Sequence, residues 1–450
     1  MYVDEAIQRT LSGASLDPRD RALVMELVHG VLRHRMALDW RLDQVASRKM
    51  AKLPPLVADI LRLGAYQVLH LTKIPHRAAV HEAVALARRR IDAPHWPGFV
   101  NAVLRALLRS PTPPWPSRTE SPVQSLAIQY SCPVWLVARW IRQWGAEGAE
   151  RLCRQACEEP PLTVRVNQLR MSREAVRAAW AAVGVEAVPT GYSPTGLHVV
   201  QAGSPAQLPG YREGWFYVED EAAHLIPGIL APEQGERVLD ACAAPGGKAL
   251  HSAELMHARG EIVAVDRGES RLSVLRANCA RLGIAMVTPV AYQWAPVGQG
   301  AALPAPLRAL FDRVLLDAPC SALGVLRRHP EGKWQKQEAQ LVDHQRTQRQ
   351  LLETVSRLLR PGGVIVYSTC STEPEETLQV IDHFCEAHRE FVRESVAPWL
   401  PAAALPLVTE RGELCTVPAS RGGDVDGESS LGRTAPMDAF FVARLTRRAG

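Results

Sequence analysis

Nowhere in these 450 residues do 18 uncharged apolar residues follow one another, so no membrane-crossing helix is expected. The first ten residues carry Asp4 and Glu5 and lack an apolar run behind a basic start, which predicts no signal peptide. The nine cysteines are odd in number and form no C-x-x-C pair, which argues against a disulfide framework or a zinc knuckle and predicts no metal. A strong charge excess is also missing. Lys and Arg number 52 against 47 Asp and Glu, a net +5 that permits a polyanionic partner without demanding one. With 47% hydrophobic and 22% charged residues, the chain is neither disordered nor fibrous. A soluble, cytoplasmic enzyme or large binding protein of two or three domains is the expectation.

What is present divides into three textures. From Ala6 to about Ser110, apolar residues recur at three- and four-residue spacing, as in Ala22-Leu23-Glu26-Leu27-Val31-Leu32 and Val57-Ile60-Leu61-Ala65-Val68-Leu69, which predicts an all-α helical bundle. Its later helices carry Arg88, Arg89, Arg90, Arg105 and Arg109, either a solvated basic face or a phosphate-contacting one. Ser110–Ser117 holds four prolines and cannot continue a helix, so it marks a linker and closes a first domain at 1–115. A helix around Pro133–Trp144, a strand at Leu162–Val166 and a helix at Arg173–Ala182 predict a small α+β domain over 120–225.

In the third stretch, 226–450, short β-branched runs alternate with helical ones. Strands are expected at Arg237–Asp240, Glu261–Asp266, Met286–Val290, Phe311–Asp317 and Val364–Ser368. Helices are expected at Lys248–His257, Arg271–Leu282 and Leu341–Leu359. Such alternation implies a parallel α/β sheet with ligands at the carboxyl ends of its strands. A last apolar strand at Ala439–Leu445 is expected to close the sheet edge.

The chemistry-bearing residues cluster at those strand ends. After the first strand stands Asp240-Ala241-Cys242-Ala243-Ala244-Pro245-Gly246-Gly247-Lys248, small residues and glycines that let backbone approach a ligand at a helix N-terminus. It is neither the G-x-G-x-x-G fingerprint nor a P-loop, since Ala249 follows Lys248. A phosphate cradle is disfavoured, and a smaller anionic group such as the carboxylate of a methionine moiety fits better. Asp266 ends the second strand, where an acid either accepts ribose hydroxyls or begins the next helix. The fourth and fifth strands run into Asp317-Ala318-Pro319-Cys320-Ser321 and Ser368-Thr369-Cys370-Ser371. Both thiols would face the crevice, in polar turns where core packing is not the need. For Cys132, Cys153, Cys157, Cys279, Cys385 and Cys415 a packing role is expected.

In this order and spacing, Cys242-Ala-Ala-Pro-Gly-Gly-Lys248, Asp317-Ala-Pro-Cys-Ser321 and Tyr367-Ser-Thr-Cys-Ser371 resemble the Sun (Fmu) group of cytosine-5 RNA methyltransferases. Gly64-Ala65-Tyr66-Gln67 and Phe99-Val-Asn-Ala-Val-Leu-Arg105 are similar to the domain shared with the antitermination factor NusB, and Leu162-Thr-Val-Arg-Val-Asn167 to the group's linker domain. The resemblance thus spans nearly the whole chain. It implies a multidomain protein: a NusB-like bundle, an RNA-recognition-like α+β linker and a Rossmann-like class I methyltransferase domain. It further implies S-adenosylmethionine as cofactor, small-subunit (16S) ribosomal RNA as partner, and a monomer.

By this resemblance Cys370 is the nucleophile that adds to carbon 6 of cytosine, Cys320 the second cysteine needed for β-elimination, and Asp317 the carboxyl at the ring's Watson–Crick edge. Carbon 5 is a poor nucleophile until a thiolate makes the ring enamine-like, so the chemistry demands such a set. Cys242, Ala243, Ala244, Pro245, Gly246, Gly247 and Lys248 would hold the methionine end of the cofactor, Asp266 its ribose, with Asp317 beside it. Arg165, Asn167, Arg327, Arg328, His329, Lys333 and Trp334 are candidates for RNA contact, with surface or packing roles as the alternative.

Four positions depart from the group's pattern. Ala249 replaces Thr, Ala322-Leu323 replaces Gly-Thr, and Asp438-Ala-Phe-Phe441 stands for Asp-Gly-Phe-Phe. The third strand leads into Ala291-Tyr292-Gln293 instead of Gly-Asp, so the acid for the adenine amino group is missing and Gln293 is the substitute at hand. A catalytically silent RNA-binding or assembly factor is therefore the rival reading. A small-molecule enzyme on the same sheet is the third.

Overall fold

The computed structural model describes residues 3–13, 15–200, 203–296, 298, 302–417 and 437–449. Contacts divide the chain into two compact units, Met1–Glu159 with Leu326–Lys336, and Pro160–Val325 with Gln337–Gly450.

The first unit is helical: α1 (Val3–Leu11), α2 (Pro18–Asp43), α3 (Pro55–His70), α4 (His76–Arg90), α5 (His95–Arg109), α6 (Pro122–Gln129), α7 (Val134–Gln155) and, from later in the chain, the single turn α12 (Gly332–Gln335). Asp17 starts α2 by accepting the amides of Arg19 and Asp20, with Pro18 in the first turn, where its missing N–H costs nothing. The predicted stripe of α3 is the core: Val57, Ile60, Leu61 and Ala65 pack with Leu42, Val100 and Leu104. The stripe read at the start of α2 is shallower, for Leu23 is exposed and burial begins at Gly30. Helix α7 outruns its expected end at Trp144 because Gly145, at φ 68°, joins a second helical piece. Contacts group α6 and α7 with α1–α5 in this unit, although both follow the proline-rich stretch.

The second unit carries two sheets. Strands β1 (Leu162–Val166), β2 (Ala187–Pro189), β3 (Gly196–Val199) and β4 (Phe216–Val218) form an antiparallel sheet ordered β2-β3-β1-β4. Helix α8 (Arg173–Ala181), capped by Ser172, buries Val176 and Trp180 against Val164, Val166 and Phe216.

The larger sheet follows: α9 (Glu221–Leu230), β5 (Arg237–Asp240), α10 (Gly247–Leu255), β6 (Glu261–Asp266), α11 (Glu269–Leu282), β7 (Val287–Ala291), β8 (Phe311–Asp317), α13 (Gln340–Ser356), β9 (Leu359–Thr369), α14 (Leu378–Ala387), β10 (Phe391–Glu394), β11 (Leu414–Cys415) and β12 (Phe441–Arg447). Its order is β10-β12-β9-β8-β5-β6-β7, with β11 paired to β12. Strands β5 through β9 are parallel, and β12 runs antiparallel to both of its neighbours. Near-continuous apolar runs such as Ile262–Val265 and Val314–Leu316 suit strands covered on both faces.

Two expectations need correcting. The last strand does not close the edge: β12 lies inside the sheet between β9 and β10, and its burial from Phe441 to Leu445 reflects two neighbours rather than one. The edge is β10, which the sequence reading missed because Phe-Val-Arg-Glu is only four residues with no flanking turn signal. Helix lengths otherwise differ from expectation by a few terminal residues. Among the described residues no helix is long and apolar enough to cross a membrane.

Candidate active site

The carboxyl ends of β5, β6, β8 and β9 converge on one crevice. Gly246, at φ 111°, turns the chain from β5 into α10, a conformation that a side-chain-bearing residue rarely adopts. Gly247 is required for a different reason: a Cβ there would lie 2.2 Å from Glu219 Oε1. Here the small sheet reaches the site. Tyr217 in β4 and Glu219 just beyond it line one cleft with Asp240, Cys242, Lys248 and Asp317.

Charge in this cleft is layered. Lys248 Nζ donates to Asp317 Oδ2 at 2.8 Å, and Ser368 Oγ donates to Asp317 Oδ1 at 2.7 Å. The register that sets Asp317 beside Ser368 on parallel β8 and β9 produces the second bond. Burial alone would pull the Lys248 ammonium down, but the carboxylates of Asp317, Glu219 and Asp240 outweigh it and hold the proton on. Asp240 is buried beneath them, and its carboxyl is pushed up to about 7 by burial and then by the charge of Asp317. Its Oδ1 has no hydrogen-bond partner.

The two cysteines meet. Cys320 Sγ and Cys370 Sγ lie 3.4 Å apart, both half-buried, as parallel strands ending side by side require. The contact with Cys370 and then burial push the Cys320 thiol well up. The loop after Cys320 is tied back by Gly324, whose amide donates to Cys370 O at 2.9 Å and whose carbonyl accepts from Ala439 N at 3.0 Å. Of the other cysteines, Cys132 and Cys153 are fully buried, as a packing role predicts.

Asp266 sits at the end of β6, 5% exposed, with Oδ1 accepting from Gly268 N at 3.0 Å and Oδ2 3.3 Å from Arg271 Nη1. Both contacts lie at the entry to α11. Beyond β7, Gln293 is exposed, while Trp294 Nε1 donates to Ala241 O at 2.7 Å and its ring, like Cys242, packs against the apolar cluster of this sheet.

Most of the proposed RNA contacts are elsewhere engaged, and this is a correction. Arg165 is fully buried. Its Nη1 meets Glu219 Oε2 at 2.7 Å and Gly247 O at 3.1 Å, and its Nη2 meets Glu254 Oε1 at 2.9 Å. Asn167, equally buried, donates to Gly214 O at 3.0 Å and Leu282 O at 3.1 Å. Both brace the small sheet against the cofactor-type loop and α11 instead of facing solvent. Arg327, Arg328, His329, Lys333 and Trp334 belong to the helical unit. There Arg327 O accepts from Arg33 at 3.3 Å, Lys333 Nζ donates to Arg33 O at 3.2 Å and Tyr130 O at 3.4 Å, and Trp334 Nε1 donates to Leu32 O at 2.8 Å. Arg327 and Lys333 are buried, whereas Arg328, His329 and Trp334 keep partial exposure.

Sequence reasoning missed Glu219 and Ser368 as members of this site, and passed over Asp240. Asp240 carried the same strand-end signal as Asp266. Glu219 carried none, because its role depends on a second sheet arriving at the loop.

Seven strands with only the last in the chain reversed, a glycine loop after the first, and acids at the ends of the first, second and fourth define a class I S-adenosylmethionine-dependent methyltransferase fold. The family model "16S rRNA methyltransferase RsmB/F" matches residues 227–446, the NusB family model residues 1–109, and the RsmF/B-like ferredoxin-like domain residues 132–205. The probable ribosomal RNA small subunit methyltransferase B of Bacillus subtilis (strain 168) is 34% identical over 94% of this chain and 93% of its own length. Its counterpart in Synechocystis sp. is 36% identical over 99% of this chain and 95% of its own. The chain belongs to the ribosomal RNA small subunit methyltransferase B family. Among solved structures, PH0851 superposes with a TM-score of 0.76 at 24% identity, covering 97% of this chain and 93% of that one. NSun6 from Pyrococcus horikoshii gives 0.58 at 21% identity, over 70% and 98%; at these identities both speak to the fold alone.

Proposed function

We propose that this protein methylates carbon 5 of a cytosine in small-subunit ribosomal RNA, with Cys370 as covalent nucleophile and S-adenosylmethionine as donor. The observation that carries the reading is the pair of sulfurs 3.4 Å apart just beyond the ends of β8 and β9, the strands whose paired Asp317 and Ser368 stand beside Lys248.

The residues present fit that donor. The partnerless Oδ1 of Asp240 suits an ammonium, and the N-terminus of α10 suits a carboxylate. When bound, S-adenosylmethionine supplies an electrophilic methyl group. The chain does the rest. Cys370 adds to carbon 6 of a base drawn out of any stack, and carbon 5 becomes nucleophilic. Asp317, oriented by Ser368 and paired with Lys248, faces the Watson–Crick edge, where the pair can hold a proton as the ring takes up negative charge. Cys320 keeps its proton beside the attacking sulfur during the addition. In the elimination that frees the RNA, the carbon 5 proton passes to a base and the carbon 6–sulfur bond breaks, which returns Cys370 as a thiolate with Cys320 3.4 Å away.

In this reading 1–115 and the basic helices α4 and α5 supply RNA contact. Arg88, Arg89, Arg90, Arg105 and Arg109 are exposed there, and Arg328 and His329 are accessible in the same unit. Within the second unit the small sheet β1–β4 braces the cleft, and 226–450 performs the transfer.

The test is labelled S-adenosylmethionine with unmodified small-subunit rRNA. Cys370→Ala is expected to transfer no label. Cys320→Ala is expected to accumulate an RNA adduct that survives denaturation. Equal methylation by parent and both variants would remove the mechanism, and no transfer by the parent would favour a silent RNA-binding factor.

A further inference from the structure

Behind the two sulfurs lies a carboxylate that the mechanism above does not use. Glu376 is fully buried, on the short turn between β9 and α14. Its Oε1 accepts the amide of Ser321 at 2.7 Å and Gln348 Nε2 at 3.2 Å, and its Oε2 takes the hydroxyls of both Ser321 and Ser371. Those serines directly follow Cys320 and Cys370, and their hydroxyl oxygens are 3.4 Å apart, the same spacing as the sulfurs in front of them. Gln348 in turn donates to Pro319 O at 3.1 Å, and Tyr367 donates its hydroxyl to Glu376 O at 2.8 Å. One carboxylate thus ties the loop after β8 to the loop after β9, from the side away from the cleft. All of its donors are neutral, so burying this charge is sustained by the count and geometry of hydrogen bonds.

An ordinary loop staple needs no such group. Two adjacent parallel strands are already held in register up to Asp317 and Ser368, and a pair of hydroxyls could bond each other. What the carboxylate adds is a fixed point common to both loops just beyond the last ladder bond, where the sulfurs must keep their separation while one of them bonds to a base. We propose that Glu376 is a positioning residue for the cytosine chemistry, setting the spacing of Cys320 and Cys370 by clamping the residue that follows each. This rests on the reading of Cys370 as nucleophile and Cys320 as its partner in release. Glu376 also lies near enough for its charge to help keep the proton on Cys320.

The test compares full-length parent, Glu376→Gln, Glu376→Ala, Ser371→Ala and Cys370→Ala in steady-state methylation of small-subunit rRNA. KM for S-adenosylmethionine, thermal melting and the fraction of RNA held as covalent adduct are recorded for each. A displacement of reacting groups by about 1 Å costs about a hundredfold. Glu376→Ala is therefore expected to lose about that much in kcat, with KM for the cofactor within about twofold of the parent. Glu376→Gln keeps an oxygen for the Ser321 amide but turns a donating amide NH2 toward the two hydroxyls that donate to the carboxylate, so its kcat is expected between the two. Ser371→Ala removes one arm of the clamp and should lower kcat; the lost bond to a buried group costs about 1–3 kcal/mol, so it is expected to melt a few degrees below the parent while remaining folded, and it decides the matter if Glu376→Ala does not fold. In the folded variants the adduct fraction should change from the parent's. Parent-like kcat and adduct fraction in Glu376→Gln and Ser371→Ala, with Cys370→Ala inactive, would overturn this proposal alone. An active Cys370→Ala would overturn the reading beneath it.

Discussion

Replacing Arg165 by Met decides between a buried brace and an RNA contact. The guanidinium is fully buried and bonds Glu219 at 2.7 Å, Glu254 at 2.9 Å and Gly247 O at 3.1 Å. Met conserves much of the volume but leaves two carboxylates, both already pushed up by burial and held down by this arginine, without their cation. Removing one member of a buried ion pair costs roughly 3–5 kcal/mol. A unit of this size loses about 2–4 °C of melting temperature per kcal/mol, so a fall on the order of 10 °C is expected. The deficit should depend on pH in a definite direction. A carboxyl whose folded pKa is raised costs nothing below its unfolded value and destabilises progressively as pH rises through the folded one. Arg165→Met should therefore melt closer to the parent at pH 5.5 than at pH 8. The assay is thermal and urea unfolding at both values, with RNA affinity measured across a salt series. A variant that melts with the parent, yet binds RNA with a salt slope smaller by about 1, would refute the brace and restore the surface contact.

Asp240, pushed up to about 7, must lose its proton to face an ammonium, so S-adenosylmethionine affinity should fall by up to about tenfold per pH unit below that value. Calorimetry at pH 6.5 in two buffers of different ionisation enthalpy should register proton release on binding; no release, or the same release from Asp240→Asn, would contradict the assignment. Gly247→Ala drives a Cβ against Glu219, which Arg165 prevents from swinging aside. Overpacking of this kind costs about 1–3 kcal/mol, and a variant with unaltered melting and cofactor affinity would show that the loop is softer than its contacts imply.

The sheet was legible because parallel strands write their burial into the sequence: Val314–Leu316 and Ile262–Val265 can be little else. The cysteine pair was legible because strand ends are where ligands bind, and two cysteine-bearing turns on adjacent strands must meet. Arg165 misled for the opposite reason. An arginine on a strand of a small domain reads as a surface charge until Glu219 and Glu254, 54 and 89 positions away, are known to surround it. For residues 327–334, nearness to Cys320 in sequence hid their membership of the helical unit, where Arg327 and Lys333 are buried and Arg328 and His329 keep partial exposure. Glu376 gave no local sign at all; four donors from three segments converge on it only in three dimensions.

The placement of β12 bears on how the enzyme comes into being. Its partners β9 and β10 are made at least 47 positions earlier, between Leu359 and Glu394, yet neither completes its hydrogen bonding until Phe441–Arg447 has been synthesised and slipped between them. Until then β9 and β10 each present an open strand edge, the kind of surface that can pair with another chain. The sheet that carries the cysteine loop is therefore complete only once Phe441–Arg447 is in place.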